Sequence, residues 1–138
     1  MIRSSCIASI VAAMIAFAGP AAAKTIMFDN GGVIVRYIKD VDEARRSGDP
    51  VTFAGPCNSA CTLYLSLPVS QLCIQPTASF GFHAAQHPRA EVRRQMTDAL
   101  LRKYPAWAKR WIDANGGLTT REIVMPASYA QRYLPSCR

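Results

Sequence analysis

Residues 1–23 constrain this chain more than any other stretch, because they fix where it folds and how much of it is left to fold. Arg3 supplies a positive end, Cys6 to Ala18 is an apolar run, and Gly19-Pro20 breaks that run before Ala21-Ala22-Ala23. This is the pattern of a secretory signal peptide with its small-residue cleavage site. An apolar run of about 13 residues falls short of the roughly 20 that a spanning helix needs, so no stable membrane anchor is expected after cleavage. Cys6 would leave with the leader. The remaining residues, 24–138, suit a single domain, periplasmic or secreted, because no linker, repeat or low-complexity tract divides them.

Four cysteines stay in the mature chain: Cys57, Cys61, Cys73 and Cys137. An even number in an oxidising compartment points to disulfides, and three pairings are open. The C-x3-C spacing of Cys57 and Cys61, with two histidines downstream, also admits a zinc site. That spacing is less specific than paired C-x2-C motifs, and an oxidising milieu disfavours thiolate ligands, so no metal is expected. With the leader's one arginine set aside, 15 basic residues face 9 acidic ones, a net charge of +6. The basic residues are spread along the chain and no nucleic-acid motif accompanies them, so a nucleic-acid partner is not expected.

Strand and helix alternate through the first half. Lys24 to Phe28 reads as a strand ended by Asp29-Asn30-Gly31-Gly32, and from Val33 the apolar positions Val33, Tyr37, Val41 and Ala44 recur at helical spacing until Ser47-Gly48-Asp49-Pro50. Val51 to Ala54 is a second strand. Ala60 to Leu67 is apolar almost all round, as in a buried helix. Leu72 to Gln75 and Ala78 to His83 read as strands around Pro76-Thr77, Ala90 to Tyr104 as an amphipathic helix, and Pro105 to Asn115 as a helix burying Trp107, Trp111 and Ile112. Short helices are expected near Thr119 to Val124 and Ala127 to Leu134. The pattern predicts an α/β domain, a small parallel sheet covered by helices.

Within that frame Gly55 to His83 carries the chemistry. Ser59 stands at a strand-to-helix junction, where its hydroxyl would be exposed above the sheet edge and the following amides would face any negative charge that develops beside it. A serine hydroxyl needs a neutral imidazole within reach to take its proton. His83 ends an apolar strand, whereas His87 lies in the turn-like Gln86-His87-Pro88-Arg89, so His83 is the better base. The plainer alternative makes Ser59 a helix cap and His83 a hydrogen-bonded residue at a sheet edge.

The segments Asn30-Gly31-Gly32-Val33-Ile34, Gly55-Pro56-Cys57-Asn58-Ser59-Ala60, and Cys73-Ile74-Gln75-Pro76 through Gly81-Phe82-His83 resemble the proteolytic subunit of the Clp protease and its crotonase-superfamily relatives. Cys57-Asn58-Ser59-Ala60-Cys61-Thr62, Gly81-Phe82-His83-Ala84-Ala85 and the tail motifs Tyr104-Pro105, Trp111-Ile112 and Gly116-Gly117-Leu118 are similar, more closely, to small exported Clp-like proteins of bacteria. The resemblance spans most of residues 26 to 134. It implies a Clp- and crotonase-like spiral fold, with Ser59 as nucleophile, His83 as base, and the amides of Ala60 and of Gly31 or Gly32 as oxyanion donors. It further implies a peptide or protein substrate and a homo-oligomer, with no cofactor.

The acid that should orient His83 is where the pattern departs. The resemblance places Glu122 at the family's aspartate position, Asp113 is a second candidate, and a dyad without an acid is also open. In that fold the last segment runs near the strand bearing Cys73, so the resemblance favours a Cys73–Cys137 bridge and leaves Cys57 and Cys61 bridged or reduced. The chain is also much shorter than a Clp subunit. A non-catalytic Clp-like domain that binds a peptide or partner is the competing function, since fold does not establish chemistry.

Overall fold

The structure, a computed structural model, describes residues 22–138; all of the expected leader except Ala22 and Ala23 lies outside the described residues. The chain winds through three successive units, each of which lays backbone along one sheet, bends into a second sheet, and leaves through a helix. In the first, β1 (Lys24–Ile26) leads through Asp29 to α1 (Ile34–Ser47). In the second, β2 (Val51–Phe53) and β3 (Pro56–Asn58) lead into a 3-10 helix (Ser59–Ser66). In the third, β4 (Leu72–Ile74) and β5 (Ser79–Phe82) lead to α2 (Ala90–Lys103). The chain closes with α3 (Ala106–Ala114), β6 (Ile123–Pro126) and α4 (Ala127–Ala130).

The protein is therefore α/β, with small parallel and mixed sheets. One sheet has the order β1-β2-β4, all parallel, and stacks Ile26, Phe53 and Ile74 in one register column, each of them buried. The other has the order β3-β5-β6, with β3 parallel and β6 antiparallel to β5; Asp29 extends it through a parallel bridge to Cys57. Phe53 and Phe80 meet edge to face, with ring centroids 4.9 Å apart, and join the inner faces of the two sheets.

The bend between β2 and β3 needs its glycine. The amides of Ala54 and Gly55 both donate to the Ile26 carbonyl, at 2.9 and 3.0 Å, and a Cβ on Gly55 would fall inside the carbonyl of Met27. Gly48 ends α1 in the left-handed conformation, its amide donating to the Ala44 carbonyl, as its place after the periodic stretch predicts.

Three expectations are corrected. The backbone folds into two sheets rather than one. The first strand stops at Ile26, and Met27 and Phe28 stand exposed beyond it. The short helix expected near Thr119 to Val124 is instead the approach to β6, where β-branched Ile123 and Val124 pair with Phe82 and Gly81. Those residue types fit a pleated ladder better than a helix.

Both cysteine pairs are bridged, Cys57 with Cys61 and Cys73 with Cys137. Two disulfides in one small domain point to an oxidising, extracytoplasmic compartment. Among the described residues no helix is long and apolar enough to cross a membrane.

Candidate functional site

Parallel pairing of β3 with β5 sets Asn58 opposite Gly81, so the chain leaves these neighbouring strands through Ser59 on one side and Phe82-His83 on the other. Strands so paired lie about 4.8 Å apart, which brings the serine and the histidine to the same carboxyl edge. Both line one cleft of about 540 Å³.

Ser59 has φ 57°, the one positive φ at a non-glycine position among the described residues. A Cβ in this conformation crowds the following carbonyl at a cost of roughly 1–2 kcal/mol. Neighbouring groups hold it there. The Cys57–Cys61 bridge closes the loop around it, with Cα atoms 5.3 Å apart. Thr62, wholly buried, donates its hydroxyl proton to the Ser59 carbonyl at 2.6 Å. Thr62 has then no proton left, so in its 2.7 Å contact with Tyr104 the phenol must donate. Burial pushes that phenol up to about 12, so it keeps its proton throughout the neutral range. Ser59 is not a helix cap: Asn58 occupies the cap position, its side chain donating to Asn30 Oδ1 rather than capping the helix, and among the described residues the Ser59 hydroxyl makes no hydrogen bond.

Gly31 packs directly on this elbow. A Cβ there would stand 2.7 Å from the Ala60 nitrogen, the Asn58 oxygen and the Ser59 Cβ, and its φ of 80° already disfavours any other residue. Its amide donates to Asp29 Oδ1 at 2.8 Å, and the same oxygen accepts the Tyr37 hydroxyl at 2.6 Å. Burial first, and then the Asp29 carboxylate, raise the Tyr37 phenol well above its ordinary range. Of the expected oxyanion donors, the Gly31 amide is thus engaged, while the amides of Gly32 and Ala60 have no acceptor among the described residues. Gly31→Ala should cost about 3 kcal/mol, combining left-handed strain with overpacking. Gly32→Ala, whose added Cβ would meet only Tyr37 Cε2 at 3.8 Å, should stay within about 0.5 kcal/mol. Denaturant unfolding of the two variants side by side measures both.

His83 is half-buried, and its Nδ1 lies 2.7 Å from the Ala84 carbonyl oxygen. A carbonyl only accepts, so this bond assigns the proton to Nδ1 and leaves the Nε2 lone pair bare in the neutral ring. No direct hydrogen bond joins Ser59 to His83 in this structure, and such bonds often tighten only with substrate in place. Neither acid candidate bonds to His83. Glu122 is exposed and lies over Gly81, where a Cβ would meet its Cδ at 2.7 Å and Asn58 Oδ1 at 2.5 Å. Asp113 is exposed on α3.

The cleft also has an apolar lining: Val33 and Ile34 from the start of α1, Met96 and Leu100 from α2, and Tyr104. A few polar groups set in an apolar lining are the usual make-up of a small-ligand site. Asp29, Tyr37, Thr62 and Tyr104 shape this site in ways the sequence does not assign: Thr62 and Tyr104 fall within the segments of resemblance without a role there. Asp29-x-Gly31 is the one legible sign, since an Asp side chain that bonds the amide two residues on is a known turn former. No family model matches this chain, and no curated protein matches it.

Proposed function

We propose that this chain is an exported serine hydrolase of Clp- and crotonase-like spiral fold that acts on peptides. Ser59 is the nucleophile, His83 the base, and the Gly32 and Ala60 amides are the oxyanion donors. The observation that carries this reading is the left-handed backbone of Ser59, held in a cleft it shares with His83. Strain at a non-glycine residue persists only where its surroundings impose it, and it gathers at working sites. The repeated winding from one sheet through the second into a helix, and the glycine pressed against the elbow, support the spiral-fold reading.

In this scheme the Ser59 oxygen attacks the substrate carbonyl carbon as its proton passes to Nε2 of His83. The carbonyl oxygen takes up the negative charge and is met by the two amides. His83 then returns the proton to the leaving amine, which departs and leaves an acyl ester on Ser59. A water molecule, deprotonated by the same Nε2, attacks the ester, releasing the acid and the free serine. The apolar lining of Val33, Met96 and Leu100 would receive an apolar side chain of the peptide.

Treating the folded protein with a fluorophosphonate and mapping the product by mass spectrometry tests the reading. The expected result is one adduct, on Ser59, which disappears when the protein is denatured beforehand. An unlabelled native protein, or equal labelling of native and denatured chains, overturns it.

A further inference from the structure

A serine–histidine site commonly has a carboxylate behind the imidazole; here a peptide group occupies that place. We infer that the peptide joining Ala84 to Ala85 orients His83, and that Thr97 on α2 is the positioning residue that fixes this peptide. The inference rests on the hydrolase reading in so far as His83 acts as a base.

Three bonds run in series. Nδ1–H of His83 donates to the Ala84 carbonyl at 2.7 Å. The other end of that same peptide unit, the Ala85 amide, donates to Thr97 Oγ1 at 3.0 Å. Thr97 in turn donates its one proton to the Arg93 carbonyl at 2.7 Å, so its oxygen is left as acceptor toward Ala85. The last bond alone would be ordinary back-bonding within a helix. The bond to Ala85 is different, because it ties α2 to the segment behind the base, twelve residues earlier. The Ala84 amide, which belongs to the preceding His83–Ala84 peptide, donates to the Thr119 carbonyl at 2.7 Å, so the backbone is held on both sides of the Ala84 α-carbon.

Bonds in such a chain polarise one another, and an amide that donates makes its own carbonyl a better acceptor. The carbonyl therefore does two jobs of an orienting acid, fixing the tautomer and the ring plane. It bears only a partial charge, so it stabilises the imidazolium less than a carboxylate would.

The chain has two histidines, so His87→Gln leaves one ring to observe. Nitrogen-15 NMR of neutral His83 should find the proton on Nδ1. Thr97→Val, which keeps the shape but loses the acceptor, should shift the ring toward the Nε2–H form. It should also slow fluorophosphonate labelling of Ser59 about 10-fold, a small part of the 10²- to 10⁴-fold that a positioned base contributes. Thr97→Ser should restore both. Glu122→Gln and Asp113→Asn should leave labelling within about twofold, whereas losing the acid of a working triad costs on the order of 10⁴-fold.

A proton on Nε2 in the otherwise unaltered protein, an unchanged ring in Thr97→Val, or slowing of 100-fold or more in Glu122→Gln overturns the inference. If the native protein takes no label, the hydrolase reading falls, and the ring measurement still decides whether the peptide and Thr97 orient His83.

Discussion

Replacing Ser59 with glycine is expected to make the protein more stable and chemically inert. The residue sits at φ 57°, where a side chain costs roughly 1–2 kcal/mol and glycine costs almost nothing. After glycine's larger unfolded-state entropy is set against that relief, a net gain of about 1 kcal/mol remains, or about 4 °C in the thermal midpoint of a domain this size. Ser59→Ala keeps the Cβ and the strain, so it should lose the adduct without gaining stability. His83→Ala keeps the nucleophile and loses its base, and its labelling should slow by 10²- to 10⁴-fold, roughly what a positioned base contributes. A capping serine would behave in the opposite way, because glycine at a cap lowers stability by a few tenths of a kcal/mol. Calorimetry of the three variants beside labelling rates separates the accounts. A Ser59→Gly protein less stable than its parent would rule out a strained elbow.

The sequence revealed the helices better than the strands, and the reason is physical. Val41 and Ala44 repeat at the helical period and Gly48 stops the run, so α1 could be placed within a residue or so from local pattern alone. β3 could not. Pro56-Cys57-Asn58 has no alternation and little strand propensity, and it is a strand because Asp29 and β5 flank it on either side. Missing β3 meant missing the second sheet, since the bend at Gly55 is specified by the position of Met27, which is far from it in sequence.

The same division runs through the site. Ser59 and His83 stood out through residue type and position and Gly31 and Gly32 through the resemblance, and the cleft gathers all four. The roles of Thr62, Tyr104 and Thr97 were not legible, because each acts through a partner brought near by folding: 42 residues separate Thr62 from Tyr104, and 12 separate Ala85 from Thr97. Alignment of Glu122 with a family acid likewise depended on how residues 119–124 fold. Once that stretch runs into a strand, the carboxylate comes to rest over Gly81 with no bond to His83.

Mild reduction of the folded protein should open Cys73–Cys137 first and lower stability by about 4 kcal/mol, while Cys57–Cys61 survives. Exposure sets the order: Cys57 and Cys61 are fully buried, and Cys73 and Cys137 are partly accessible to a thiol. Loop length sets the magnitude. The outer bridge spans 64 residues, and constraining an unfolded loop of that size is worth about 4 kcal/mol, against about 2 kcal/mol for the four-residue separation of the inner bridge. The outer bridge also fastens the tail to an open sheet edge. Ile74 donates to the Pro135 carbonyl at 2.9 Å and Cys137 to the Ile74 carbonyl at 3.2 Å, so residues 135–137 cover β4 as a short added strand. Once freed, the tail would expose that edge and the buried Leu134, leaving unpaired backbone that invites association. Alkylation of released thiols followed by peptide mapping reports which bridge opened, and denaturant midpoints before and after report the loss. A change below about 1 kcal/mol would mean that the tail's own contacts, rather than the crosslink, hold β4 covered.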